Sequence, residues 1–326
     1  MKNDVSIRIG VVGVGHLGNF HLKQLSKIPG IFLSGIYDID ANRAQKIGKK
    51  YNVRTLSTLE NLLKSSDAVS IVTPTNNHYS IANQALESEC HVFIEKPITD
   101  NLNHARALLK KANDQKKIIQ VGHIERFNPA FIALKKLSKH PRFIESHRLT
   151  PFNPRGNDVP VILDLMIHDL DIILSLVNSN INDIKANGVK VVSKTADIAN
   201  ARIKFKNGCV ANLTASRISQ KEMRKMRLFQ ADNYATIDFK EGILEEYKIC
   251  YEKPKSIAIE NIVEIGTDNK KYILYNKPVI QKYDALREEL SHFIHSIQHA
   301  SQPETNGASA TEALRLALEI QTIIDQ

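Results

Sequence analysis

Apolar and polar positions change places along this chain in two different rhythms. Up to residue 122, short apolar runs alternate with segments of helical period. The strand candidates are Ile7–Val12, Ile31–Tyr37, Val53–Thr55, Ala68–Thr73, Val92–Glu95 and Ile118–Val121. Between them lie the helix candidates Leu17–Ile28, Ala41–Tyr51, Leu59–Lys64, His78–Glu89 and Leu102–Gln115. In the first helix Leu17, Phe20, Leu25 and Ile28 recur at helical spacing while Lys23 and Lys27 face away, and Pro29-Gly30 ends it. Continuous apolar strands that alternate with helices predict a parallel sheet covered on both faces.

After about residue 125 the rhythm changes. Two helices, 126–137 and 161–177, come first, and then strands follow one another directly. Asn207-Gly208 between Ala199–Lys206 and Cys209–Ser216 is a strong hairpin signal, and Glu241-Gly242 and Asp268-Asn269 are weaker ones. Ala199, Ala201, Ile203 and Phe205 fall on one face, with Asn200, Arg202, Lys204 and Lys206 on the other. That alternation predicts an antiparallel sheet with one face on a core and a polar face open to association. Helices Asp284–Ala300 and Thr311–Ile324 close the chain. The pattern as a whole predicts an α/β protein. Residues 1–123 are expected to form an N-terminal α/β domain of Rossmann type. Residues 124–326 are expected to form a C-terminal α+β domain with an open, mainly antiparallel sheet. Its last helix is free to pack back on the first domain.

Composition narrows this further. A length of 326 residues suits two domains, and 42% hydrophobic with 24% charged residues suits a soluble globular chain. The most apolar stretch, Val161 to Val177, carries Asp164, His168, Asp169 and Asp171, which a lipid-facing helix would not, so no membrane span is expected. The opening MKNDVSIRIGVVGVG reads as a first strand, because Arg8 interrupts the apolar run and a Gly-rich turn follows. Cys90, Cys209 and Cys250 form no C-x-x-C pair and suit buried thiols in a reducing, cytoplasmic setting. With 44 basic against 35 acidic residues, the net charge of +9 favours an anionic partner. No nucleic-acid motif appears, but composition alone does not choose between anionic lipid and a phosphorylated small molecule.

The candidate chemistry begins at Gly13-Val14-Gly15-His16-Leu17-Gly18, a G-x-G-x-x-G between the first strand and the first helix. Small residues there let the backbone approach a pyrophosphate, and the helix N-terminus offers free N–H groups. Asp38, at the end of the second strand, is the acid that would accept from ribose hydroxyls. Ile39 and Asp40 follow it with no Arg to welcome a 2′-phosphate, so NAD is expected over NADP. Ligands bind outside the carboxyl ends of parallel strands. Those ends are Thr73-Pro74, Glu95-Lys96-Pro97 and Gln120 to His123, which aims Lys96 at the reactive end of the cofactor.

Asp164-x-x-x-His168 places a carboxylate and an imidazole on one face of an apolar helix, with Asp171 a turn further along. The pair suits a base oriented by an acid, a satisfied core pair, or half of a metal site with no evident third and fourth ligand. His292, His295 and His299 share one side of a helix whose apolar residues lie opposite, so we expect them on a solvated face, with no metal. The basic run Lys221–Arg227 suits a solvated sheet edge that discourages pairing. Arg155, in the Pro-rich loop before the His168 helix, is the better anion-binding candidate.

The fingerprint, Thr73-Pro74 with His78, Glu95-Lys96-Pro97 and Asp164-x-x-x-His168 together resemble the Gfo/Idh/MocA oxidoreductase family over essentially the whole chain. The resemblance implies that Lys96 and His168 are the catalytic pair and that Asp164 binds and orients a sugar. It also implies an NAD site made by Gly13, Gly15, His16, Leu17, Asp38, Thr73, Pro74, His78, Glu95 and Lys96. Segments 121–129, 148–156, 164–171 and 207–217 look like bacterial nucleotide-sugar members, although Val161-Ile162-Leu163 replaces the family's frequent Gly pair. That finer likeness implies oxidation of a sugar hydroxyl to a ketone, at C3 of UDP-N-acetylglucosamine, toward a 3-amino sugar of lipid A. Arg126, Asn128 and Arg155 are then the substrate contacts, with Arg155 at the diphosphate. A homodimer or homotetramer is expected. Another UDP-sugar, a free sugar or an inositol on the same fold stays open. So does a non-catalytic NAD- or sugar-sensing regulator, although such a protein should have lost the Lys or the His.

Overall fold

The computed structural model describes residues 6–137, 140–153, 159–252, 262–265 and 271–326. The backbone separates into two units, Met1–Phe127 with Asp284–Arg315, and Asn128–Tyr283 with Leu316–Gln326. The division drawn from the sequence at 123/124 is continuous. Here the first unit also takes a segment from near the C-terminus.

In the first unit, strands and helices alternate as β1 (Ile7–Val12), α1 (His16–Leu25), β2 (Ile31–Tyr37), α2 (Ala41–Tyr51), α3 (Leu59–Lys64), β3 (Ala68–Ile71), α4 (His78–Glu87), β4 (His91–Glu95), α5 (Leu102–Asp114) and β5 (Ile119–Gly122). The sheet is parallel throughout, in the order β2-β1-β3-β4-β5. Helix starts are set by side-chain caps that occupy otherwise orphaned N–H groups. Asp40 accepts from the Arg43 N–H, Thr58 from Asn61, and Asn101 from Asn103 and His104. Val53–Thr55 is not a strand. It makes one parallel bridge, Thr55 to Ile36, before the chain turns into the Thr58 cap.

The core of this unit joins Ile9, Val11, Ile36 and Phe93 of the sheet to Leu22 and Leu25 of α1. Leu290, Phe293 and Ile294 of α8 (Ala285–Gln298) complete it. The Gln120 side chain donates to the Glu289 carbonyl at 2.9 Å, which ties β5 to α8. The expected solvated histidine face holds only in part. His295 and His299 are exposed and stack at 4.0 Å, but His292 is half-buried against Phe127, and burial lowers its pKa. Among the described residues, no cluster of His, Cys, Asp and Glu could hold a metal ion. No helix there is long and apolar enough to cross a membrane.

The second unit contains α6 (Pro129–Leu137), β6 (Phe143–Leu149), α7 (Ile167–Leu176) and β7 (Ile181–Val189), then β8 (Ile198–Phe205), β9 (Val210–Ser216), β10 (Met223–Phe229), β11 (Asn233–Asp238), β12 (Ile243–Cys250), β13 (Ile262–Ile265) and β14 (Lys271–Asn276). Their order is β13-β14-β12-β11-β10-β6-β9-β8-β7, antiparallel except for the β6–β9 pair. The final helix, α9 (Gly307–Asp325), is divided between the two units. In β8 the residues Ala199, Ala201, Ile203 and Phe205 are buried, as their alternation predicts. Gly242 makes the β11–β12 turn with φ of 68°. Asp268-Asn269 lies outside the described residues.

The basic run Lys221–Arg227 is not a sheet edge. Most of it forms β10, which pairs with both β6 and β11. Its charge is matched across strands, Arg227 with Glu145 at 2.6 Å and Lys225 with Asp238 at 3.4 Å, so an interior strand tolerates it. Beside it runs a row of half-buried rings across five strands. Phe143, Phe229, Tyr234, Tyr247 and Tyr275 follow one another with centroids 4.7–5.7 Å apart.

One strand-end group yields a pH prediction. The His91 ring accepts the Ile118 N–H at Nδ1, 3.0 Å away, and burial pushes its pKa from 6.5 down to about 4. The unfolded chain therefore takes up this proton first. The stability that His91 confers is complete above its unfolded value and is lost as pH falls from 6.5 toward 4. Because the ring is partly solvated, the loss should be about 1–2 kcal/mol. His91→Gln keeps an acceptor without the titration, so urea unfolding across this window should fall less steeply with pH in the variant. Parallel curves would exclude His91.

Candidate cofactor and substrate sites

The turn between β1 and α1 is built from residues without side chains. Gly13 has φ of 84°, and a Cβ there would stand 2.5 Å from the Val72 carbonyl oxygen. A Cβ on Gly18 would stand 1.9 Å from the Gly13 carbonyl oxygen, whereas one on Gly15 would meet nothing within 4 Å. The open side of Gly15 is therefore where an anion can reach the N-terminus of α1. No side chain caps that helix and no acid occupies its first turn. Gly13 is buried, and His16 and Leu17 are exposed at the helix start. The Thr73 hydroxyl oxygen is buried without a partner among the described residues, beside the turn.

Asp38 ends β2 and is buried. Its Oδ2 accepts the Val14 N–H at 2.8 Å and its Oδ1 the Asp40 N–H at 2.9 Å. Each oxygen has a second lone pair, the one a ribose hydroxyl would use, and in this structure it faces a further side chain. These groups fit a dinucleotide. One further residue is brought there. No Arg directly follows Asp38, but the first turn of α2 carries Arg43 back to it, 3.3 and 3.4 Å from the two oxygens. The visible signal was the Asp40 cap, which fixes where that turn starts.

At the end of β4, the half-buried Lys96 has its N–H on Glu95 Oε2 at 3.2 Å, and Lys96-Pro97 is a cis peptide. Glu95 Oε1 lies 2.9 Å from Nε2 of His21, whose Nδ1 lies 2.9 Å from the Ser70 hydroxyl. Burial alone would push the Glu95 carboxyl up, but the His21 hydrogen bond and the charges of His21 and Lys96 hold it below its ordinary value. A Cβ on Gly122 would stand 2.9 Å from both Glu95 oxygens, so β5 passes close because it has none there. His21 was missed in the sequence, although it lies on the same buried side of α1 as Leu22 and Leu25. His78 sits behind Pro74. Its Nδ1 is 2.8 Å from the Pro97 carbonyl and its Nε2 2.9 Å from that of Thr73, and burial lowers its pKa. Both nitrogens face carbonyls, one of them donating in the neutral ring, so His78 lies between the two loops rather than reaching outward.

In the second unit the 161–177 segment is not a plain α-helix. Ile162–Met166 is a π-helical turn in which the Ile167 N–H reaches back to the Ile162 carbonyl, and α7 continues from it. Such turns often mark functional sites. Asp164 and His168 are half-buried on a segment most of whose residues are buried. Asp171, expected on the same stripe, is 3% exposed. The neighbouring Asp169, which sequence reasoning passed over, takes both ends of the buried Arg148 fork at 2.9 and 3.0 Å, joining α7 to β6. Arg217 donates to the Val159 carbonyl at 2.5 Å and stands 3.8 Å from Asp197, which accepts the N–H groups of Val191, Val192 and Ser193. Those bonds hold the chain entering the π turn.

Arg155 lies outside the described residues. Arg126 is buried in the 3₁₀ turn Ile124–Phe127, with a nitrogen 3.3 Å from the Glu304 carbonyl. Asn128 holds the start of α6, accepting the Ala130 N–H and donating to the Phe239 carbonyl, each at 3.0 Å.

Residues 7–123 match an oxidoreductase family with an NAD-binding Rossmann fold, and residues 141–245 match the GFO/IDH/MocA C-terminal domain. The chain is 35% identical to UDP-N-acetylglucosamine 3-dehydrogenase of Acidithiobacillus ferrooxidans over 98% of each chain. The solved structure of that enzyme superposes with a TM-score of 0.88. Myo-inositol 2-dehydrogenase of Thermotoga maritima is 23% identical over 98% of this chain and 97% of its own. The fold is shared with scyllo-inositol dehydrogenase from Lactobacillus casei, solved with NAD(H) and scyllo-inositol. It has a TM-score of 0.77 at 19% identity, over 98% of this chain and 97% of that one.

The glycine turn separates binding from folding. Gly15→Ala should leave stability within about 0.5 kcal/mol yet weaken NAD about 10-fold, because its methyl fills only the space a pyrophosphate needs. Gly18→Ala should cost about 1–3 kcal/mol as well, since its methyl strikes backbone. Thermal melts and titration calorimetry check both, and unchanged NAD affinity in Gly15→Ala would move the pyrophosphate elsewhere.

Proposed function

Because the chain belongs to the Gfo/Idh/MocA oxidoreductase family, we propose that it oxidises the C3 hydroxyl of UDP-N-acetylglucosamine to a ketone with NAD. One observation carries the substrate: the 35% identity with an enzyme of that specificity runs through 98% of both chains. Residues 1–123 take the cofactor role in this proposal and 124–326 the substrate role. The ketone is then the substrate for an aminotransferase making a 3-amino sugar of lipid A, in the cytoplasm.

Bound NAD supplies the hydride acceptor. His168 takes the proton of the C3 hydroxyl as general base, and its half-exposed place at the start of α7 suits exchange of that proton with water. Lys96 donates a hydrogen bond to the same oxygen and stabilises charge as it develops there. Its backbone is held by Glu95 for that task. Asp164 orients His168 or a neighbouring sugar hydroxyl. Arg155 is the diphosphate ligand in this proposal. Arg126 and Asn128, whose groups already bond within the protein, serve the substrate by holding the segment between β5 and α6. The row of rings from Phe143 to Tyr275 supports a homodimer or homotetramer formed through the open sheet face.

NADH formation with UDP-N-acetylglucosamine, free N-acetylglucosamine, other UDP-sugars and inositols is the deciding assay. The nucleotide sugar should be the best substrate, and the free sugar should lose kcat as well as KM, because remote contacts position the reacting carbon. Lys96→Met and His168→Asn should each lower kcat by about 10²–10⁴ while NAD binding survives in His168→Asn. Equal turnover of inositols would refute the substrate. A near-wild-type kcat in either variant would refute its assigned role.

A further inference from the structure

Arg43 has no part in the reaction proposed above, yet it lies across the carboxylate that selects the cofactor. Asp38 is 4% exposed and Arg43 48% exposed, with Nη1 of Arg43 3.3 Å from Asp38 Oδ1. The guanidinium also stands 3.2 Å from Asp40, the residue that caps α2. Two acids therefore grip one cation at the solvent side of the ribose position. Both acids are fixed by backbone bonds. Asp38 accepts from Val14 and Asp40 N–H, and Asp40 accepts from the Arg43 N–H itself.

The two cofactors differ only at the 2′ oxygen of this ribose, where NADP carries a phosphate with a charge near −2. A planar fork of N–H donors is the group best suited to such an anion. Asp38 opposes it at close range. We propose that Arg43 is a masked 2′-phosphate anchor, and that NAD preference rests on Asp38 and Asp40 holding this guanidinium rather than on the lack of a cation. The nearer acid sets the preference, since it faces the 2′ oxygen, and Arg43 sets how much NADP the protein still tolerates. With Asp38 neutral, Arg43 turns to the phosphate and NADP becomes a competent ligand.

Binding decides this without turnover. NADH and NADPH affinities would be titrated by nicotinamide fluorescence on the full chain, its Arg43→Ala variant, Asp38→Asn and the double variant. Asn at 38 keeps a carbonyl oxygen for the Val14 N–H, so the glycine turn retains its bond while the one from the Asp40 N–H is given up. In the otherwise unchanged chain, Arg43→Ala should weaken NADPH about 10-fold and NADH by less than about threefold, as for one charge-assisted contact. Asp38→Asn should bind NADPH about 10-fold more tightly than the unchanged chain, and the double variant should lose that gain. A gain that survives removal of Arg43 would overturn the anchor. So would equal loss of both cofactors in Arg43→Ala, which is decisive even if Asp38→Asn binds neither.

Discussion

A carboxylate taken out of water keeps its charge only where fixed donors replace the water. The first unit is arranged around meeting that demand at Glu95. Its donors come from three places: His21 on α1, the Lys96 backbone, and, through His21, the Ser70 hydroxyl on β3. Gly122 on β5 supplies the room. One buried charge thus sets the spacing of helix and strands at the end of the sheet where Lys96 emerges. Asp38 repeats the arrangement at the end of β2 with backbone donors from the glycine turn and the start of α2.

This explains what could be read from the chain before its fold was known. The parallel sheet was legible because Ile9, Val11, Val69, Phe93 and Ile94 are apolar on both faces and buried. The glycine turn and Asp38 were legible because their spacing follows from covalent geometry alone. Arg43, His21 and the Arg148–Asp169 pair were not. Each acquires its role from a partner 5 to 74 positions away, and only pairing of strands and helices brings them together. The same holds for β10. Its charges look like an edge until Glu145 and Asp238 are seen on the flanking strands. The π turn at Ile162–Met166 was hidden for another reason. Its residues, apolar except for Asp164, have a spacing compatible with an ordinary α-helix, and the wider turn is a backbone choice.

The second unit uses buried charge in the same way but for a different end. Arg148 and Asp169 lock α7 to β6, and Asp197 with Arg217 fixes the chain just before the π turn. Removing one partner of such a pair leaves an uncompensated charge, so these contacts specify position more than they add stability. Between them stand Asp164 and His168, half-buried, on a segment that is mostly buried and held at both ends.

Satisfied burial and function therefore divide the ionisable groups of this chain. Asp169 and Asp197 are enclosed, Glu95 is 16% exposed at its side chain, and all three have donors in place; a group so held cannot exchange a proton with a ligand without breaking the structure around it. Lys96, Asp164 and His168 sit one position away from, or one turn along from, those braces, and keep partial access to water. Proton transfer needs both conditions at once, a fixed direction and an open route. The neighbour supplies the first and incomplete burial the second. On this physical ground the half-buried His168, rather than the buried Asp169 beside it, and Lys96, rather than a Glu95 already held by His21, are the residues suited to the chemistry proposed above.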